Sequence, residues 1–383
     1  MKRRRWLQWG CVQCACLSGW AAAQTGWTAP PRFERPDPST DEGGLWAQMD
    51  REEARLRRSP LRMRDEGVMG FLTQTTCRLA GDHCPDVRTY VLRMPYFNAS
   101  MAPNGMMQVW SGLLLRMDNE AQVATVLAHE LAHYLQRHSL DRLRDVKARS
   151  AFATAISMLG IYGLVGQLLV AGGSYSFSRD QEREADAIGL LLMRRAGFDT
   201  REAPKVWANL LAELAANPVA SENALDGVLF ATHPTSDERQ RTLQREAAAD
   251  PGGVVGAESW RQRLAPVRRQ LLDDELKRAR FDESLVLMNR LVAAESGNVE
   301  LLYYRGEVRR LRGSDSDMTM AQVDLQTASV DPVAPVAVWR SLGYVYRQQQ
   351  HIEAARAAWL RYLERAPDAA DAALVRQSLE ELK

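Results

Sequence analysis

His129 and His133 stand four residues apart, with Glu130 beside the first, in the run His129-Glu130-Leu131-Ala132-His133. On a helix, side chains four residues apart lie on one face, one turn above the other, so both imidazoles can reach a single ion. Zinc suits such ligands: it makes a bound water a better acid, and Glu130 can take the proton as the water attacks a peptide carbonyl. The pattern arises by chance in roughly one chain in a hundred of this size. Without a metal, two histidines facing a core would each need another partner. Zinc also needs a third protein ligand while a place stays open for water. The segment Arg179-Asp180-Gln181-Glu182-Arg183-Glu184-Ala185-Asp186 offers one. Glu182 and Asp186 are one turn apart, so one can bind metal while the other hydrogen-bonds a ligating histidine and orients its ring. Glu184 falls on a different face. Alone, this stretch reads as a solvated charge run; beside the histidine motif, the metal reading prevails.

These residues need helices and a supporting sheet. Val123, Val126, Leu127, Leu131, Tyr134 and Leu135 give the histidine segment an apolar surround, and the pattern predicts one helix over 120–138. Further helices are expected over 45–63, 178–196 and 201–215. Tyr90-Val91-Leu92 and Met106 to Trp110 read as strands, the second following a Pro103-Asn104-Gly105 turn signal. His138 and His351 read as surface residues.

The N-terminus carries Lys2, Arg3, Arg4 and Arg5, an apolar run from Trp6 to Ala22, and small residues at Ala21-Ala22-Ala23. This is the pattern of a secretory signal peptide, residues 1–23; an uncleaved anchor is the alternative. The whole chain has 49 basic and 48 acidic residues. Losing four basic residues leaves 45 against 48, a mature charge of −3, which points to no nucleic-acid partner. Pro30, Pro31, Pro36 and Pro38 mark residues 24–44 as a flexible leader. Cys77 and Cys84 are the only cysteines beyond residue 23. In an exported chain they read as a disulfide closing a small loop, with two free thiols the alternative. Residues 151–173 are apolar enough for a membrane span, but five glycines and Gln167 favour a buried or mobile helical segment. Membrane contact is expected to be at most peripheral.

Pro251-Gly252-Gly253 marks a boundary, and the chain beyond it is helical. Trp339, Leu342, Gly343, Tyr346, Ala355, Trp359 and Pro367 fall at the spacings of a tetratricopeptide (TPR) repeat. Two weaker units precede it, one around Phe281, Ser284, Leu285 and Met288, the other around Leu302, Gly306, Ala321, Leu325 and Pro332. The second carries an apparent insertion near Gly313-Ser314-Asp315.

The histidine motif, Glu182 with Asp186, and Thr232-His233-Pro234 with Arg239 together resemble the peptidase family that includes the CAAX prenyl-protein endopeptidases and the bacterial heat-shock membrane protease HtpX. The signal peptide and the repeats narrow the likeness to a periplasmic, assembly-enhancing branch. The resemblance implies one Zn2+ per chain with His129, His133 and Glu182 as ligands, Glu130 as general base and Asp186 as an orienting carboxylate. It implies His233 as a removable fourth ligand, although His233 before Pro234 could equally be a helix-start feature. Arg239 would bind a carboxylate or steady the oxyanion, or else form a structural salt bridge. The stretch from Asn98 to Trp110 sits where the family places its edge strand, with an ordinary core strand as the alternative.

The expected architecture is α+β and mostly α: a zincin-like metallopeptidase domain with a small sheet over residues 45–250, then an all-α TPR array over 257–383. The expected activity is zinc-dependent endoproteolysis in the periplasm, with a chaperone-like role. The expected clients are unfolded or stalled outer-membrane proteins, and the expected dock is the barrel-assembly machinery, reached through the array. Two rivals stay open: a TPR scaffold with a capped structural zinc site, and a membrane-embedded protease using residues 151–173.

Overall fold

The computed structural model describes residues 26–148, 177–217, His233 and 237–382. The expected signal peptide, residues 1–23, and the apolar segment 151–173 lie outside them. Among the described residues no helix is long and apolar enough to cross a membrane.

The first helices are α1 (Asp41–Arg58) and α2 (Glu66–Ala80), each started by a side chain that accepts an otherwise orphaned backbone N–H: Thr40 from Gly43, and Asp65 from Val68. The segment before α1, expected as a flexible leader, is instead tied to the protein. Arg32 pairs with Asp86, Arg195 donates to the Trp27 carbonyl, and Phe33 packs against the rings of His83 and Tyr134. After α2 a disulfide joins Cys77 to Cys84.

Three strands follow: β1 (Arg88–Leu92), β2 (Ala99–Met101) and β3 (Met106–Trp110). Their order is β1-β3-β2, with β1 parallel and β2 antiparallel to β3. The expectation for 98–110 therefore divides. Within that stretch β2 is an edge strand, whereas β3 is the central strand, because the parallel partner β1 takes up its other side.

The metal-motif region comprises α3 (Ser111–Arg116), α4 (Glu120–Leu135) and α5 (His138–Ala148), and then α6 (Arg179–Arg195), α7 (Ala203–Ala215) and α8 (Asp237–Ala248). Asn119 caps α4 by accepting from the Gln122 N–H, and every residue of α4 from Ala121 to Leu135 is buried. The expected single helix over 120–138 ends early. Arg137 takes a left-handed φ of 57°, the chain turns, and α5 starts at His138. Helix α6 opens with a Ser178–Gln181 capping box. It packs closely on α4 at Gly189, where an added Cβ would lie 3.4 Å from the backbone nitrogen of His129.

The C-terminal part is all helix: α9 (Ala257–Lys277), α10 (Phe281–Ala294), α11 (Val299–Arg312), α12 (Asp315–Ser329), α13 (Ala337–Gln348), α14 (Ile352–Arg365) and α15 (Ala372–Glu380). Helices α11 and α12 pack as one hairpin and α13 and α14 as the next; α10 lies against α11, and α15 packs on α14. In the α13–α14 hairpin, Gly343 lets α13 meet the Trp359 ring of α14; a Cβ there would lie 2.2 Å from Trp359 Cδ1. Gly306 and Ala321 are 15 residues apart where Gly343 and Ala355 are 12 apart. The three extra residues do not loop out. They lengthen the α11–α12 hairpin, whose helices of 14 and 15 residues meet across the capped turn Gly313-Ser314.

The two parts share one apolar core that runs from Met63 and Val68 through Leu131 to Leu342 and Val345. Trp260 of α9 packs on Phe71 and donates from Nε1 to the Met117 carbonyl. The Pro251-Gly252-Gly253 segment is pinned to the first part, for Val254 exchanges backbone hydrogen bonds with Gly197 and Asp199, and Ala121 donates to Val255.

Candidate metal centre

Helix α4 presents His129 and His133 on one face, and α6 brings Glu182 up against them. His129 Nε2 and His133 Nε2 lie 3.1 Å apart. Glu182 Oε1 is 3.4 Å from His133 Nε2, and Glu182 Oε2 is 3.6 Å from His129 Nε2. His233 completes the group, its Nδ1 at 2.9 Å from Glu182 Oε1 and 3.3 Å from His129 Nε2. Single donor atoms of these four buried residues all lie within 4.8 Å of one another.

This donor set fits a divalent cation. His129 Nδ1 faces Asp186 Oδ1 at 3.1 Å. If the ring proton sits there, the Nε2 lone pairs of His129 and His133 point at each other across 3.1 Å. A neutral imidazole has one donor and one acceptor nitrogen, so a shared cation resolves the opposed lone pairs and balances the buried carboxylate.

The surrounding groups hold the donors in place. Arg239 of α8 donates from Nε and Nη2 to Asp186 at 2.7 and 2.8 Å, and its Nη1 pairs with Glu182. Its guanidinium also lies over the Trp207 ring. The geometry therefore engages Arg239 with the chain's own carboxylates, which favours the carboxylate-binding and salt-bridge readings over a role at the oxyanion. Phe177 stacks on His133 with centroids 4.0 Å apart.

Burial alone would raise both acids, yet their partners prevail. His233, His133 and His129 hold Glu182 down, and Arg239 with His129 does the same for Asp186. Burial disfavours a charged ring at His233, but Glu182 and Glu130 outweigh it and raise its pKa. Burial lowers the pKa of His133 well below the usual value. Glu130 is not a member of the donor cluster. Its Oε1 lies 3.7 Å from His233 Nε2, and it is hydrogen-bonded to the backbone of Met101 in edge strand β2. Burial pushes its carboxyl up.

Each residue expected at the site is in this cluster or touches it. Cys77 and Cys84 lie elsewhere and form the expected disulfide. One expectation is overturned. His138 is not a surface residue but is buried, with Nδ1 2.9 Å from His133 Nδ1. Had α4 continued, five residues would have rotated His138 about 140° away from His133. The break at Arg137 swings it back. His351 is exposed, as expected.

Residues 73–247 match the family described as Peptidase family M48. That span contains all four donor residues, His129, His133, Glu182 and His233. The chain is similar to the mitochondrial metalloendopeptidase OMA1 of Schizosaccharomyces pombe, 36% identical over 159 residues, covering 40% of this chain and 45% of that protein. The chain is also similar to the beta-barrel assembly-enhancing proteases of Yersinia pestis, 30% identical over 251 residues, and Escherichia coli (strain K12), 29% over 254. Each covers 59% of this chain and 50% of the relative. The chain thus spans half or less of the length of these relatives. The family resemblance read from the motifs is borne out.

Proposed function

We propose that the chain is a zinc-dependent endopeptidase, with His129, His133 and Glu182 holding the metal. The observation that carries this reading is the convergence of those three donors beside Glu130, a buried carboxylate that no structural metal site requires. Zinc held there would supply a Lewis acid that polarises a peptide carbonyl and acidifies water. Glu130 then serves as the general base, its carboxyl buried and held above the ordinary carboxylate range by that burial. Asp186, fixed by Arg239, orients His129. An extended peptide can add to the open edge of β2 through backbone hydrogen bonds, which sets its carbonyl near Glu130.

His233 acts in this reading as a removable fourth ligand that leaves the resting enzyme latent. The branch resemblance supports a periplasmic location, a chaperone-like role, clients among unfolded or stalled outer-membrane proteins, and docking through the C-terminal TPR-like array.

The test is zinc content together with casein cleavage for wild type, Glu130→Gln and His233→Ala. One zinc per chain, cleavage abolished in Glu130→Gln and raised in His233→Ala, supports a latent metallopeptidase. The contacts of His233 with both Glu182 and Glu130 favour a second reading, a scaffold with a permanently capped zinc. Bound zinc with no cleavage in any variant, and rescue of a barrel-assembly defect by Glu130→Gln as good as wild type, would decide for the scaffold.

A further inference from the structure

His138 is a buried titratable side chain at the site for which the proposed chemistry has no use. It is 3% exposed and lies at the first position of α5, just past the Arg137 turn. The Nε2 of His133 faces the donor cluster, 3.1 Å from His129 Nε2 and 3.4 Å from Glu182 Oε1. That nitrogen must carry a lone pair to bind a metal, so the ring proton of His133 belongs on Nδ1. The neighbour of Nδ1 is His138 Nδ1 at 2.9 Å, which must therefore accept. A neutral ring that accepts at Nδ1 carries its own proton on Nε2. His138 Nε2 lies 3.3 Å from Glu184 Oε2, a carboxylate able to receive it.

We propose that His138 is a positioning residue that fixes the metal-binding tautomer of His133 through the chain His133 Nδ1–H to His138 Nδ1, then His138 Nε2–H to Glu184. The chain gives both ligating histidines an orienting partner on the nitrogen that faces away from the donors: Asp186 serves His129, and His138 serves His133. His138 itself is no ligand, because its Nδ1 meets the side of His133 that points away from the cluster. Phe177 covers the pair, stacked on His133 at 4.0 Å and tilted over His138 at 6.2 Å, with the Arg142 guanidinium against its ring. Gln136 fixes the far end by donating to Glu184.

The inference rests on the metallopeptidase reading, and the experiment separates the two. Zinc affinity is measured by competition with a chromophoric chelator for wild type, His138→Ala and His138→Asn, with circular dichroism to follow folding. An Asn oxygen can take the accepting place of Nδ1. The expected result is zinc binding weakened about 10–100-fold in His138→Ala, as for other lost partners of ligating histidines, and restored to within about threefold of wild type in His138→Asn. Nitrogen-15 NMR of histidine-labelled, zinc-loaded wild type gives a second readout independent of any variant's folding. It is expected to report His133 protonated at Nδ1 and His138 at Nε2. The opposite tautomers, or equal zinc affinity in wild type and a folded His138→Ala, would overturn the inference and leave the metal reading intact. Absence of zinc binding in wild type would overturn both.

Discussion

Arg116 offers the sharpest test of how the metal-motif region is joined to the helical array. It ends α3 and is 2% exposed. Its Nε donates to Glu213 of α7 at 2.7 Å, and its Nη1 and Nη2 donate to Glu275 of α9 at 3.1 and 3.0 Å. Nη1 also donates to the Gly112 carbonyl. One side chain thus neutralises two carboxylates that are 2% and 1% exposed, one on each side of the junction. Arg116→Met keeps most of the volume and removes the charge. Stranding one buried ionic partner costs about 3–5 kcal/mol. Here Glu213 keeps Arg290 at 3.0 Å, and Glu275 keeps Arg278 at 3.4 Å and the Ser284 hydroxyl at 2.7 Å. The low end, about 3 kcal/mol, is therefore expected. Urea unfolding followed by circular dichroism measures it. A companion variant, Arg116→Met with Glu213→Gln and Glu275→Gln, removes the stranded charges and should recover most of the loss. A single variant within about 1 kcal/mol of wild type would refute the reasoning, because it would mean the buried carboxylates do not need Arg116. So would a triple variant less stable than the single one.

Three further outcomes are expected. Burial alone would raise Glu53, but Arg88, Tyr90 and Arg57 outweigh it and hold its pKa at about 2 against an ordinary 4.5. A depressed acid stabilises the fold fully above its unfolded pKa, so this contribution, up to about 3 kcal/mol, fades as pH falls from 4.5 towards 2. Glu53→Gln should flatten the urea midpoint over that window, and a slope identical to wild type would count against it. Gly343→Ala drives a methyl into the Trp359 ring and should destabilise the last hairpin by about 1–3 kcal/mol; hydrogen exchange in α13 and α14 reads it, and unchanged protection there contradicts the packing. Reducing the Cys77–Cys84 disulfide frees a short loop and should cost about 2–3 kcal/mol, visible as a lower melting temperature with dithiothreitol for wild type but not for Cys77→Ser/Cys84→Ser.

The parts of the site legible in the sequence are those set by helical period. His129 with His133, and Glu182 with Asp186, are pairs one turn apart, and their geometry follows once each segment is helical. His233 and Arg239 come from a different stretch of chain, and no local spacing points them at the cluster; only the family resemblance did. His138 was misread for a definite reason. An uninterrupted helix would turn it outwards, and the interruption at Arg137 is a left-handed residue that is not glycine, so nothing in the local sequence announces it. The sheet was only partly legible for a similar reason. Both strand segments are apolar, and which one is central depends on β1 pairing in parallel across the chain. The repeat spacings were readable because Gly343 and Trp359 must meet, a constraint written in residue size. The three-residue surplus in the α11–α12 hairpin was visible only as an insertion, since spacing alone does not distinguish a loop from an added stretch of helix.

The two orienting partners differ in kind, and the difference has a consequence. Asp186 is a carboxylate locked by two hydrogen bonds from Arg239, whereas His138 is a neutral ring whose nearest anion, Glu184, is half exposed. Hydrogen bonds to charged groups are worth about 1.5–3 kcal/mol and neutral ones about 1 kcal/mol. Asp186 should therefore enhance the basicity of His129 more than His138 enhances that of His133. Replacing each partner by Asn keeps an acceptor but equalises the charge. Asp186→Asn is then expected to weaken zinc binding, because it converts the charged partner into a neutral one, while His138→Asn leaves it nearly unchanged. Equal losses in the two variants would show that both histidines are held by shape alone, with charge in the outer groups contributing nothing.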